Sequence, residues 1–221
     1  MMILYSFTIT CIAYWVATLV NKRFPKIPVI ILSMVFVLIL LWLLKLPYDT
    51  YAANTEDLFG HLLGYVTVAL AVPLATMRYD DLALKPLTAI LAFASFTAVT
   101  LPMLLAYLFQ LSESTILSFS TRSVTTPIAL NIANLIHAPV STVSLVVVLS
   151  GLIGGGLSSL VLRKIDDDRA VGLALGLAAH AIGTVQAWQR SPVAGRYAAF
   201  GMAMNGVITA IWLPIVLYII R

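Results

Sequence analysis

The stretch STRSVTTPIALNIA, Ser120 to Ala133, gathers an arginine, five hydroxyl side chains and a proline inside a chain that is otherwise oily. Long apolar runs flank it on both sides. Of 221 residues, 61% are hydrophobic and 10% charged, and the mean hydropathy is +1.02. A soluble domain carries about 25% charged residues. So few polar groups cannot cover a water-facing surface, and the bilayer must be the solvent. Each spanning segment then satisfies its own backbone, which leaves helices or a closed barrel. The apolar runs are continuous and not alternating, so they read as helices. The expected fold is an all-α multi-pass bundle in a cell membrane. It is read as a single polytopic domain over 1–221, with 1–60 holding the first two helices and about 62–220 the core.

Seven runs approach the length that crosses about 30 Å of hydrocarbon: 3–20, 27–46, 62–77, 86–111, 140–162, 170–188 and 197–220. The first lacks a basic leader and a small-residue cleavage site, and reads as a retained helix. An eighth run, 124–138, is too short to cross as one helix. Lys22, Arg23 and Lys26 follow the first run, Arg78 and Lys85 the third, and the intervening stretch 47–60 is acidic. The bias of basic residues toward cytoplasmic loops puts the N-terminus outside. The same rule makes the loop RKIDDDR, 163–169, cytoplasmic only if 124–138 dips in and returns. Arg190 and Arg196 fall outside if 170–188 crosses fully.

Within the opening stretch, Thr126 suits an N-cap and Pro127 a first helical position. A helix starting there begins inside the membrane, with free N–H groups and a positive dipole end that attract an anion or water. Discontinuous helices of this kind form midplane sites in secondary transporters. A second break is expected at Gly183-Thr184, one turn after His180, and a third at Pro73. Packing is the competing reading for each, since Gly and Pro are common in membrane helices. The pairs Gly151/Gly155 and Gly172/Gly176 read as close-packing faces, either within the chain or in a dimer.

All nine carboxylates read as loop residues, so no cation site built on a buried carboxylate is expected. Arg122 either snorkels to headgroups or grips a carboxylate with its fork. His180 either bonds a neighbouring helix or serves an anion or a proton. Ser123, Thr125, Thr126 and Thr184 are candidate donors, each with the alternative of bonding a carbonyl one turn back. Asn131 and Asn205 each need a partner, which a neighbouring helix can supply. His61 and His137 read as interfacial. Cys11, the lone cysteine, reads as a small buried hydrophobe, with no disulfide or zinc set available. Enzyme signatures are absent, and neither a cofactor nor a nucleic-acid partner is expected.

Three segments carry a resemblance: RSVTTPIALNIA (122–133), GLALGLAAHAIGT (172–184) and LLGYVTVALAVPL (62–74). They resemble the hallmark segments of the LrgB/CidB family of bacterial membrane proteins, from about Leu62 to Pro214. The resemblance implies a small LrgA/CidA-type membrane partner. It also implies one of two roles: holin-like control of murein hydrolase export and autolysis, or movement of small carboxylates such as pyruvate or, in plastids, glycolate and glycerate. Departures are Arg122 for the usual Lys, Ala179 for the usual Ser before the His, and Ala194 where an acidic residue precedes Gly195, followed by Arg196.

Together these readings favour a carrier for a small monocarboxylate. Arg122 and the helix start at Thr126-Pro127 would hold the carboxylate. Ser123, Thr125, Gly183, Thr184 and Asn205 would line the rest, and His180 would be a proton partner. The rival is a holin-like oligomer, a dimer or larger, with small-residue faces such as 151–155 at its interface.

Overall fold

The computed structural model describes residues 2–24, 27, 29–69, 72, 75 and 84–220. Among these residues there are nine helices and no strand: α1 Met2–Arg23, α2 Val29–Leu43, α3 Tyr48–Ala69, α4 Leu84–Leu108, α5 Glu113–Phe119, α6 Thr126–Ile136, α7 Val140–Val161, α8 Asp168–Arg190 and α9 Pro192–Ile220. The all-helical membrane fold expected from composition is the one observed. The break expected at Pro73 lies outside the described residues.

The chain divides into two compact units, Met1–Val66 and Thr67–Arg221. In the first, Ile9, Leu41 and Tyr51 form a small core. Thr10 and Tyr51 share a hydroxyl hydrogen bond of 2.7 Å, and Phe7 lies 6.0 Å from Phe59. Two expectations fail here, the acidic loop and the buried cysteine. The acidic stretch 47–60 is not a loop: α3 already starts at Tyr48, with Asp49 in its first turn, where a carboxylate favours the positive helix end. His61 therefore sits inside a helix, its Nδ1 2.6 Å from the Asp57 carbonyl. Cys11 is exposed, because α1 turns its small residues Ser6, Ala13 and Ala17 inward instead.

The second unit is ordered by the direction of its helices. Leu87 and Leu91 of α4 cluster with Tyr197 and Phe200 of α9, while Val99 and Met103 cluster with Leu213 and Leu217. Between these levels Ser95 bonds Thr209 at 2.9 Å and accepts from Trp212 Nε1 at 3.0 Å. The two helices therefore run parallel, from a face that holds Arg163, Lys164 and Arg196 (the basic face) to the opposite face. At that face α4 ends with Gln110 left-handed, φ 55°, and Leu111 N–H bonds the Ala106 carbonyl at 3.1 Å. The chain reverses into α5, which packs on α4 and α7.

After the loop 120–125, α6 returns to the face that α5 left. It ends in the same way: His137 is left-handed, φ 57°, and Ala138 N–H bonds the Ala133 carbonyl at 2.9 Å. Residues 113–136 are thus a re-entrant hairpin, and α7 leads back to the basic face. This agrees with the half-length reading of 124–138.

Among the described residues five helices are long and apolar enough to cross a membrane, α8 one of them. Length and composition mislead for α8. A straight helix of its size would span about 34 Å, yet Arg190 Nε lies 2.7 Å from Asp168 Oδ1 at the other end. The helix folds back at His180, whose φ of 38° and ψ of −119° are non-helical. Its halves, 168–179 and 181–190, pack side by side: a Cβ at Gly183 would collide with the Leu175 carbonyl oxygen. Glycines also seat the first half on α9, where Gly172 meets the Ala194 carbonyl and Gly176 that of Ala198. Small residues let backbones approach this closely.

The break is therefore at His180, and not at Gly183-Thr184, which belong to the second half-helix. Arg190 and Arg196 consequently lie on the basic face and not across the membrane from it. Arg190 also donates to the Ile165 carbonyl at 3.1 Å, and Ser191 to Asp168 Oδ2. Asp167 caps α8, accepting from Arg169 N at 2.9 Å and Nε at 3.2 Å. Those bonds hold its carboxyl below the usual carboxylate range. The outward sides of these helices carry Phe93, Leu104, Leu145, Ile153, Val185 and Ile211, all exposed, as a lipid-facing surface requires.

Candidate functional site

The two hairpins enter from opposite faces, and their tips meet at the middle of α7 and α9. Loop 120–125 is the tip of one and His180 the tip of the other. Ser150 of α7 sits between them: its hydroxyl donates to the Arg122 carbonyl and lies 3.4 Å from His180 Nε2. That nitrogen is also 3.2 Å from the Val147 carbonyl. Gly151 makes room for the imidazole, because a Cβ there would lie 2.7 Å from His180 Cε1. From α9, Asn205 Nδ2 donates to the Ser123 carbonyl at 2.8 Å and lies 3.4 Å from Ser123 Oγ.

The helix start is displaced by one residue from the sequence expectation. Thr125, extended at φ −68° and ψ 151°, is the N-cap of α6 and makes no side-chain capping bond. Thr126 and Pro127 lie in the first turn. Proline costs nothing there, because a first-turn N–H has no carbonyl partner within the helix. Among the described residues two buried oxygens are left without any hydrogen bond: Thr125 Oγ1 and Asn205 Oδ1. Their residues are 7% and 0% exposed, and an orphaned polar atom at such depth costs about 1–3 kcal/mol. Arg122 is half-buried. Its guanidinium forms no ion pair and no hydrogen bond with any described residue.

The remaining candidates separate cleanly. Thr184 takes the local option, donating to the His180 carbonyl at 2.8 Å and lying 3.7 Å from Met202 Sδ. It thereby closes the first turn after the fold-back. Asn131 bonds within its own helix, to the Pro127 carbonyl at 3.0 Å, and is exposed. Gly183 serves the close packing of the hairpin. Ser150 was not anticipated from sequence; its signal is a lone hydroxyl beside glycine in VVVLSGLIGGG. The face Gly151/Gly155 is covered within the chain by His180, Ile182 and Gln186. Of the two readings of that face, close packing within the chain is the one observed. Among the described residues no group of His, Cys, Asp and Glu could hold a metal ion. Two surface hollows among the described residues, one along Leu38–Tyr48 and one along Tyr107–Ile116, include no residue of the hairpin tips in their lining.

A family model, that of the LrgB-like family, matches residues 10–219. The chain belongs to the LrgB-like family. The match reaches well beyond the motif-bearing core, into α1. Among relatives, an "Uncharacterized protein" of Haemophilus influenzae is 31% identical over 98% of this chain and 95% of its own. YwbG of Bacillus subtilis is 32% identical over 96% of each. "Holin-like protein CidB" of Staphylococcus aureus is 26% identical over 95% of this chain and 93% of its own. No solved structure matches. Family and helices together make this a multi-pass membrane protein of the LrgB-like family.

Proposed function

We propose that this LrgB-like protein is a carrier for a small monocarboxylate, of the size of pyruvate or glycolate, bound where the two hairpin tips meet. The observation that carries this reading is Arg122: a half-buried cation at mid-depth, without a partner among the described residues, next to the start of α6. A guanidinium fork and a positive helix end both select a carboxylate. Ser123, Thr125 and Asn205 surround the same loop, and the orphaned Thr125 Oγ1 and Asn205 Oδ1 would meet the rest of the ligand. Opposed hairpins meeting at one site supply two gates, one toward each face. Arg163, Lys164, Arg169, Arg190 and Arg196 gather on one face. That face is cytoplasmic in this reading.

A second reading rests on the relatives named holin-like: a membrane protein that modulates murein hydrolase export and autolysis beside a small LrgA/CidA-type partner, as a dimer or larger assembly. The names favour this reading, and the site geometry favours the carrier.

Reconstituted vesicles separate them. A carrier shows saturable pyruvate or glycolate uptake. Arg122→Gln lowers that uptake about 10- to 100-fold at equal protein content, as expected for a lost charge-assisted bond of about 1.5–3 kcal/mol. Unsaturable leakage of larger solutes, or full uptake by Arg122→Gln, overturns the carrier reading.

A further inference from the structure

We infer that His180 is a proton site that fills together with the anion, the proton being taken up at Nδ1. The inference deepens the carrier reading and rests on it. The ring nitrogens are already told apart. Nε2 faces the Val147 carbonyl at 3.2 Å, which can only accept, so Nε2 bears hydrogen. Ser150 gives its own proton to the Arg122 carbonyl and therefore offers His180 a lone pair at 3.4 Å. Nδ1 has no hydrogen bond among the described residues and is the atom left to accept a proton.

The backbone points the same way. His180 holds φ 38° and ψ −119° at the hairpin tip, a conformation that glycine would adopt with less strain. Strain of this kind persists where a side chain has a task. Here the imidazole fits the space left by Gly151 and reaches α7.

The charges around the ring supply the coupling. Hairpin 113–136 contributes Arg122, whose carbonyl shares the Ser150 hydroxyl with the imidazole. From α7 the ring meets Val147, Ser150 and Gly151, none of them titratable, and α9 contributes Met202 beside Thr184. Within α8, Asp168 and Arg190 pair with each other at the hairpin base. A proton on Nδ1 would therefore add a second cation to the same pair of hairpin tips as Arg122, with no carboxylate among the described residues there to offset it. A bound carboxylate removes that penalty, so anion and proton each favour the other, and the linkage is reciprocal.

The full-length protein in lipid nanodiscs, titrated calorimetrically with sodium pyruvate and with sodium glycolate in buffers of different ionisation heat, tests this. Wild type takes up protons on binding, and its affinity falls by up to about tenfold per pH unit as pH rises through the histidine range. His180→Gln, which keeps an N–H for Val147, binds with a flat pH profile and takes up no proton. Should His180→Gln fail to fold, the ¹⁵N imidazole signal of the wild type decides. At fixed pH, pyruvate moves it toward the protonated form, and an unmoved signal overturns the proposal. Proton uptake unchanged in His180→Gln, or absent in a wild type that binds, overturns this inference alone. A wild type that binds neither anion at any pH overturns it together with the carrier reading.

Discussion

Thr125 and Asn205 are the two residues where side-chain chemistry and packing disagree. Each is buried, and each keeps an oxygen that nothing satisfies, but their other bonds differ. Asn205 also holds the Ser123 carbonyl, whereas Thr125 makes no side-chain bond. Substitutions should therefore diverge. Thr125→Val removes an orphan and should keep or raise thermal stability in detergent, by up to about 1 kcal/mol, while weakening pyruvate binding. Asn205→Ala abandons a buried carbonyl and should cost about 1–3 kcal/mol. Equal losses of stability in both variants would mean that Thr125 Oγ1 has a partner. Both residues were legible in the sequence as polar positions in apolar surroundings. Which of them is satisfied was not, because that depends on where loop 120–125 lies against α9.

Among the elements, α8 is the one whose sequence reads as something it is not. Its 23 residues have the length and hydropathy of a span, and nothing in the local pattern of GLALGLAAHAIGT forces a reversal. What permits the reversal is spacing: Gly172 and Gly176 seat one half on α9, and Gly183 seats the other half on Leu175. At the base, Asp168, Arg190 and Ser191 tie the ends together. The ion pair is more than a third exposed, so its own contribution to stability is small. Its value is as a ruler. With Cys11→Ser as background, cysteines at Asp168 and Arg190 should be joined by a short bifunctional thiol reagent within one chain. In a straight helix they would stand about 33 Å apart, and no cross-link would form.

For the whole molecule, α4 with hairpin 113–136 and α7 with hairpin 168–190 repeat one unit in opposite orientation. Each is a helix that crosses the unit and then a hairpin that re-enters from the far side. Inversion leaves a definite signature. Single cysteines replacing Arg163 and Arg196 should resist an impermeant thiol reagent in intact cells and react after permeabilisation. Those replacing Gln110 and His137 should react at once. All four reacting alike would contradict the directions assigned to the helices.

Composition alone fixed the solvent and the helical class, because a chain with 10% charged residues cannot face water and must bond its backbone within helices. It also marked the helix that starts inside the membrane, since Thr-Thr-Pro and an arginine in an apolar run have few other uses. Tertiary structure alone decided that α8 turns back at His180, that Ser150 links the two tips, and that the Gly151/Gly155 face is filled from within. The physical reason is the same in each case. Hydropathy and capping are local, whereas reversal, hydrogen-bond partnership and close packing depend on residues 22 to 82 positions away that only the folded chain brings into reach, as from Asp168 to Arg190, Ser150 to His180 or Ser123 to Asn205.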